Sequence, residues 1–158
     1  MKRLFFSALI VFIFLSSSVY AIDTRLLDLR NRILNESDEL RVLLPNSKDA
    51  VILVSMFDSC LIAASQIDAY FHMLGIFESI KEKDLTDVAF DFILSWLNEI
   101  KNTNNLNIKN LSASTQTNVP TTQVHVEKLK GYFIEFNNRI KTEIDTVSML
   151  KKTFKIKQ

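Results

Sequence analysis

The 158-residue sequence has few of the residue types on which most chemical sites depend: one cysteine, two glycines, two prolines and two histidines. A single cysteine excludes an intrachain disulfide. Two glycines leave no glycine-rich loop that could cradle a phosphate, and two histidines leave few options for a metal site built on imidazole. Because turn-forming residues are so scarce, we expect the chain to fold into a few long elements.

The first residues have the three-part layout of a secretory signal peptide. Two basic residues precede an uncharged apolar run, residues 4–15, and three serines follow it, with Val19 and Ala21 as the small residues three and one positions before the cut. We predict cleavage between Ala21 and Ile22, so that 1–21 is a signal peptide and 22–158 is a single exported domain, periplasmic or secreted. The alternative is an uncleaved anchor, because the uncharged stretch reaches the roughly 20 residues that cross hydrocarbon.

The charge balance of the exported part is nearly even. Removing 1–21 takes away two of the 19 basic residues and none of the 18 acidic ones, which leaves a formal charge of −1. This balance gives no indication of a nucleic-acid partner. A chain of this length can bury a substantial core, and apolar packing must stabilise it because no disulfide is available.

Apolar residues recur every three to four positions, which predicts an all-α, antiparallel helical bundle of about four helices. The first predicted helix starts at residue 22 and ends before Pro45. The second runs to about residue 80, with Asn46 or Ser47 as its cap, and the third ends near Asn102. The last has the most regular seam, residues 126–154.

Between the third and fourth predicted helices, residues 101–123 are rich in Asn, Thr, Ser and Gln. These side chains compete with the backbone for hydrogen bonds and contribute little to a core. We therefore predict one long polar loop before the last helix, with at most a short helical turn near residues 106–111.

Two glutamates interrupt the apolar seams of the predicted helices. Glu36 lies on the seam of the first helix, where we expect its carboxylate at the solvent-exposed edge, and Glu143 lies on the seam of the last.

Cys60 falls within the apolar arc of the second helix, where a free cysteine behaves as a small hydrophobe. His125 is expected near the start of the last helix and exposed.

Asp68 and His72, four residues apart on one helical face, are weak candidates for a metal site. A surface hydrogen bond explains the pair more simply, so we expect neither a metal nor a cofactor. An enzyme would need these two residues and Asp58 to share a cleft with a carboxylate from another helix, such as Glu36 or Glu143. With no stronger polar cluster in the sequence, we expect a protein that is not an enzyme.

The function that requires the fewest special sequence features is that of a noncatalytic exported bundle that binds another protein. Self-association through the last helix remains open, as does weak membrane-surface contact through the Lys-rich C-terminus. Asn35 and Asn110 begin glycan-acceptor triplets, which matter only in a eukaryotic host.

The alternative function is a carrier that holds a lipid or other apolar molecule among the aromatic residues of the second and third helices: Phe57, Phe71, Phe90, Phe92 and Trp96.

Overall fold

The computed structural model describes residues 24–79, 87–114 and 119–155, and within these ranges the chain is helical with no strand. Helix α1 covers 24–43 and is followed by a 3₁₀ turn, Leu44–Asn46. Three longer helices follow: α2 (Ala50–Ser79), α3 (Asp87–Ser114) and α4 (Pro120–Lys155). The predicted all-α bundle is confirmed. The predicted signal peptide, 1–21, and the predicted start of the third helix lie outside the described residues.

Ion pairs across the bundle establish the direction of α1 relative to α4. Arg32 of α1 pairs with Glu135 of α4, and one turn later along α1, Glu36 pairs with Lys128. Advancing along α1 therefore means moving back along α4, so these two helices are antiparallel.

The same argument applies to α3 and α4. Asp91, near the start of α3, pairs with Lys151, near the end of α4, and Asn104 in the middle of α3 contacts Phe133. Short connections join α1 to α2 and α3 to α4, so the four helices run up, down, up and down.

The turn between α1 and α2 follows from three local residues. Pro45 stops α1 because it cannot donate the backbone hydrogen bond that a continuing helix requires. Ser47 then accepts a hydrogen bond from the backbone N–H of Asp49 through its Oγ, at 3.0 Å. This hydrogen bond stabilises the turn directly before α2, whose first backbone hydrogen bond is accepted by Asp49, so Ser47 lies next to the helix start without bonding to an N–H group of α2.

One continuous core lies between the helices. The seam predicted for α4 is confirmed from Val126 to Ile140, where each seam residue is fully buried. Helices α1 and α2 contribute the larger share of the remaining aliphatic side chains. The core consists mainly of Leu26, Leu29, Ile33, Leu40, Leu53, Met56, Ile67, Leu97, Ile100, Leu111, Val126, Leu129, Phe133, Phe136 and Ile140.

The prediction of a long polar loop over 101–123 is wrong. Helix α3 continues through Ser114, and α4 begins at Pro120, which suits the first turn of a helix because that turn has no intrahelical partner for its N–H groups. The predicted third-helix end at Asn102 is wrong for the same reason. Some polar residues of this half of α3 are exposed, such as Asn102 and Asn105, whereas others are buried.

The hydrogen bonds of one buried asparagine, Asn104, help to explain why the helix persists. Asn104 donates through Nδ2 to the carbonyl oxygen of Phe133 at 2.7 Å and to Oδ1 of Asn137 at 3.0 Å. Asn107 is also buried, and Leu111, one turn further along α3, is a buried core residue. Packing along α4 therefore outweighs the low helix propensity of Asn, which is a weak preference.

Candidate functional site

The most concentrated group of ionisable side chains lies between α1 and α4. Glu36 and Glu39 are three residues apart on one face of α1, and His125 and Lys128 are three apart on the facing side of α4. Residues at this spacing are neighbours on a helix surface, so two helices suffice to bring four polar groups together. We call Glu36, Glu39, His125 and Lys128 the α1/α4 cluster.

Glu36 is the centre of this cluster and is fully buried. Its Oε1 lies 2.5 Å from Nδ1 of His125, and its Oε2 lies 2.5 Å from Nζ of Lys128. Glu39 is half exposed, and its Oε2 lies 3.1 Å from the same Nζ and 3.9 Å from His125 Nδ1. One ammonium therefore lies between two carboxylates, with an imidazole beside them.

The charge of Glu36 affects its neighbours. Its close approach, together with Glu39, raises the pKa of Lys128, which keeps that side chain an ammonium despite partial burial. Burial, and to a smaller degree the charge of Glu36, raises the pKa of Cys60 to about 12. A thiol with so high a pKa is unreactive at neutral pH, which agrees with the interpretation of Cys60 as a core residue.

The structure overturns two expectations about this cluster. Glu36 is not at a solvent-exposed edge, because His125 and Lys128 close over it from α4. His125 is not exposed, because its side chain is directed at Glu36 and is 15% accessible. The opposite charges at matching three-residue spacings were visible in the sequence, but the predicted loop over 101–123 concealed that His125 lies a full turn inside α4.

A second buried carboxylate, Glu143 of α4, lies far from the first. Tyr70 of α2 donates a hydrogen bond through its hydroxyl to Glu143 Oε2 at 2.7 Å, and Tyr70 stacks on Trp96 of α3. Glu143 Oε1 is buried and accepts no hydrogen bond from the described residues. Burial raises the pKa of Glu143, and the Tyr70 hydrogen bond only partly opposes this.

The structure does not join Asp68 and His72 into a metal-binding pair. Arg30 of α1 holds the Asp68 carboxylate with two contacts, at 2.6 and 2.9 Å. His72 instead places Nδ1 2.8 Å from the backbone oxygen of Asp68. The exposed Asp58 is on the outer face of α2, so these three residues do not line a common cleft with Glu36 or Glu143.

The outer face of α2 exposes several aliphatic side chains and few charged ones. Helix α2 contains no lysine or arginine, and Asp58 is the charged residue in the middle of its outer face. A 100° step per residue places the exposed aliphatic side chains of α2 within one arc. These side chains, which we call the α2 apolar face, are Val51, Val54, Leu61, Ile62 and Ile76.

Among the described residues, α2 is also the helix that is long and apolar enough to cross a membrane. Its stretch Ala50–Ile76 has a mean hydropathy of 1.8 in its most apolar window, of which 33% is buried. The sequence predicted no membrane span here because Asp58, Gln66 and Asp68 interrupt the run. A core helix of a bundle meets the same criterion, so the finding does not assign α2 to a membrane.

The aromatic residues proposed to line a carrier cavity do not all face the interior of the bundle. Phe90 is packed in the core, whereas Phe92, two residues later, is 65% exposed on the outside of α3. The carrier remains a prediction without a described cavity to support it. At the C-terminus, Lys151 pairs with Asp91, and residues 156–158 of the predicted basic tail lie outside the described chain.

The described residues form an antiparallel four-helix bundle in which two carboxylates, Glu36 and Glu143, are buried and the outer face of α2 exposes aliphatic side chains. Comparison of the chain with protein-family models, with curated proteins and with solved structures found no match.

Proposed function

We propose that this protein is an exported, noncatalytic four-helix bundle that binds a protein partner through the α2 apolar face. The observation that supports it is the combination of exposed aliphatic side chains with the absence of lysine and arginine along α2. Large apolar patches on otherwise polar proteins commonly mark interaction sites. Export rests on the signal-peptide layout of the first 21 residues.

The other outward surfaces of the bundle differ from this face. Exposed aliphatic residues on α4, such as Ile134 and Met149, are interspersed with lysines and acidic residues along the same helix. In addition, α3 packs along α4 far more extensively than α2 packs on either of them. The α2 face therefore offers a further helix five exposed aliphatic side chains on a helix without lysine or arginine.

The chemistry of the face indicates what would bind there. An amphipathic helix docking on this surface would present apolar residues at intervals of three and four. Asp58 lies within the contact area, so the docking helix should carry one basic residue opposite it and otherwise few charges. The expected partner is a protein with such a helix.

Two isoleucines of equal exposure provide a matched test. Ile62 on α2 is 46% exposed and Ile134 on α4 is 44% exposed. A photo-crosslinking amino acid at position 62, in the exported protein, should capture one specific protein, and the same residue at position 134 should not. Ile62→Lys should abolish the complex in pull-down, whereas Ile134→Lys should leave it intact.

A charge reversal tests the identity of the contact. Asp58→Lys should weaken the captured complex, and an acidic residue in place of the partner's basic residue should restore it. Capture of lipid alone, capture of a second copy of this chain alone, or equal capture at positions 62 and 134 would overturn the proposal.

A further inference from the structure

The α1/α4 cluster already holds a cation between two carboxylates. Nζ of Lys128 lies 2.5 Å from Glu36 Oε2 and 3.1 Å from Glu39 Oε2. The shorter contact joins the ammonium to a fully buried carboxylate oxygen, and the longer one joins it to a half-exposed carboxylate. The buried oxygen of Glu36 is therefore aimed at a position that a cation already occupies.

The same group contains a suitable set of metal ligands. One ligand atom each from Glu36, Glu39 and His125 can be chosen so that all three lie within 4.8 Å of one another. Two carboxylate oxygens and one imidazole nitrogen are donors that zinc accepts, and three protein ligands leave a fourth position for water. Such a set suits a first-row divalent ion better than magnesium, which favours oxygen ligands and keeps its water.

We infer that the α1/α4 cluster is a binding site for a divalent transition-metal ion such as zinc, in which Glu36, Glu39 and His125 are the ligands and Lys128 is a built-in competitor. The lysine side chain is 39% exposed, so it can turn outward into solvent as an ammonium. Nδ1 of His125 then coordinates the ion, and the proton of the neutral ring resides on Nε2.

Electrostatics favours this exchange once the metal is present. Two ionised carboxylates and one ammonium leave the cluster with a net negative charge when the imidazole is neutral. A divalent ion in place of the ammonium brings the same ligands to neutrality, and the long aliphatic stem of Lys128 still covers the site. The lysine thereby lowers metal affinity without removing the ligands.

Zinc titration of the metal-free full protein by calorimetry tests the inference. The wild-type protein should bind one zinc ion, and His125→Gln and Glu39→Gln should each weaken binding at least about tenfold. Lys128→Met should strengthen binding about tenfold or more, since it removes the competitor. His72→Gln is the matched control and should bind as the wild type does. Magnesium should not compete at equal concentration.

Thermal unfolding provides a second readout, because the loss of a metal ligand would not produce a Tm that falls and is then restored by zinc. Lys128→Met leaves Glu36 buried without its counter-charge, so its Tm should fall, and zinc should restore that Tm. The double variant with His125→Gln should not be rescued. If Lys128→Met fails to fold, the wild-type, His125→Gln and His72→Gln titrations decide alone. No zinc binding by the folded wild-type protein, or equal binding by His125→Gln and His72→Gln, would overturn the inference.

Discussion

Glu36 and Glu143 occupy comparable positions in the two halves of the bundle. Each falls on an apolar seam, each is buried, and each is approached by a side chain from another helix. The first meets His125 and Lys128, which stabilise its negative charge, whereas the second meets the hydroxyl of Tyr70. His125, which contacts Glu36 from α4, and Glu143 are 18 residues apart on α4, roughly 27 Å along the helix axis.

This difference shows that burial alone does not determine the state of a carboxyl group. A buried carboxylate remains charged when cations face it, and it favours the neutral form when only one hydrogen bond compensates for the lost water. The Glu36 half thus contains an ion pair, and the Glu143 half contains a carboxyl group whose pKa burial raises. The same conservative substitution should therefore have opposite effects at the two positions.

Glu36→Gln should produce the largest change. It removes the negative charge that faces Lys128 and His125 while keeping the side-chain size. The charge left behind is the partly exposed ammonium of Lys128, which can still reach Glu39 and water, so the loss should stay below the roughly 3 to 5 kcal/mol that an uncompensated buried charge costs. We expect about 2 kcal/mol, as for hydrogen bonds to a charged group. Urea unfolding at pH 7 measures this free energy.

Glu39→Gln is the control within the same cluster. Glu39 is half exposed, so its ion pair should contribute less than about 1 kcal/mol. Equal losses for Glu36→Gln and Glu39→Gln would show that burial of Glu36 does not strengthen the pair.

Glu143→Gln should instead stabilise the protein at neutral pH, by about 1 kcal/mol, because an amide has no charged form to desolvate. The pKa of Glu143 is raised above its ordinary value of 4.5 in the folded protein. Below pH 4.5 both states of the wild-type protein hold the proton. As pH rises from there through the folded pKa, the unfolded chain loses its proton first and wild-type stability falls.

Urea unfolding of wild type and Glu143→Gln over pH 4 to 8 checks this prediction, since the difference between the two curves isolates the one carboxyl group. The difference should be small at the acidic end and should grow towards neutral pH. A wild-type protein that is more stable than Glu143→Gln at pH 7 would mean that Glu143 is held as a charged group after all.

The periodicity of the sequence was enough to predict the fold class, the turn at Pro45 and the α4 seam, because those depend on local spacing and on one conformationally restricted residue. The periodicity did not predict that residues 101–114 are helical. Their asparagines have poor helix propensity, and the hydrogen bonds from Asn104 to α4 that compensate for it exist only after the two helices have packed.

The α1/α4 cluster was missed for a related reason. Glu36 was noticed as an irregularity of the seam, but its burial depends on His125 and Lys128, which are separated from it by about 90 residues of sequence. Only the antiparallel pairing of α1 and α4 brings these groups together. Asp68 and His72 were close in sequence and therefore easier to single out, yet Arg30 of another helix takes the Asp68 carboxylate.

Tyr70→Phe tests whether the hydroxyl matters to the Glu143 half. Removing it leaves both Glu143 oxygens without a hydrogen bond from the described residues, so we expect a loss of about 1 kcal/mol at pH 7. A double-mutant cycle of Tyr70→Phe with Glu143→Leu separates this contact from the other interactions of Tyr70. A coupling energy near zero would contradict a direct contribution of the hydrogen bond.

The smallest expected effect is a gain from Gly131→Ala, on the half of α4 that faces Glu36. Gly131 is exposed within the helix, and an added Cβ would meet nothing within 4 Å. Alanine should therefore raise the free energy of unfolding by about 0.5 to 1 kcal/mol, because it restricts the unfolded chain and favours helix. The increment should be the same in wild type and in Glu36→Gln when measured by urea unfolding. If the increment disappears in Glu36→Gln, this half of α4 has already separated from α1 in that variant. The stability loss in Glu36→Gln would then belong to the whole contact between α1 and α4 and not to the ion pair.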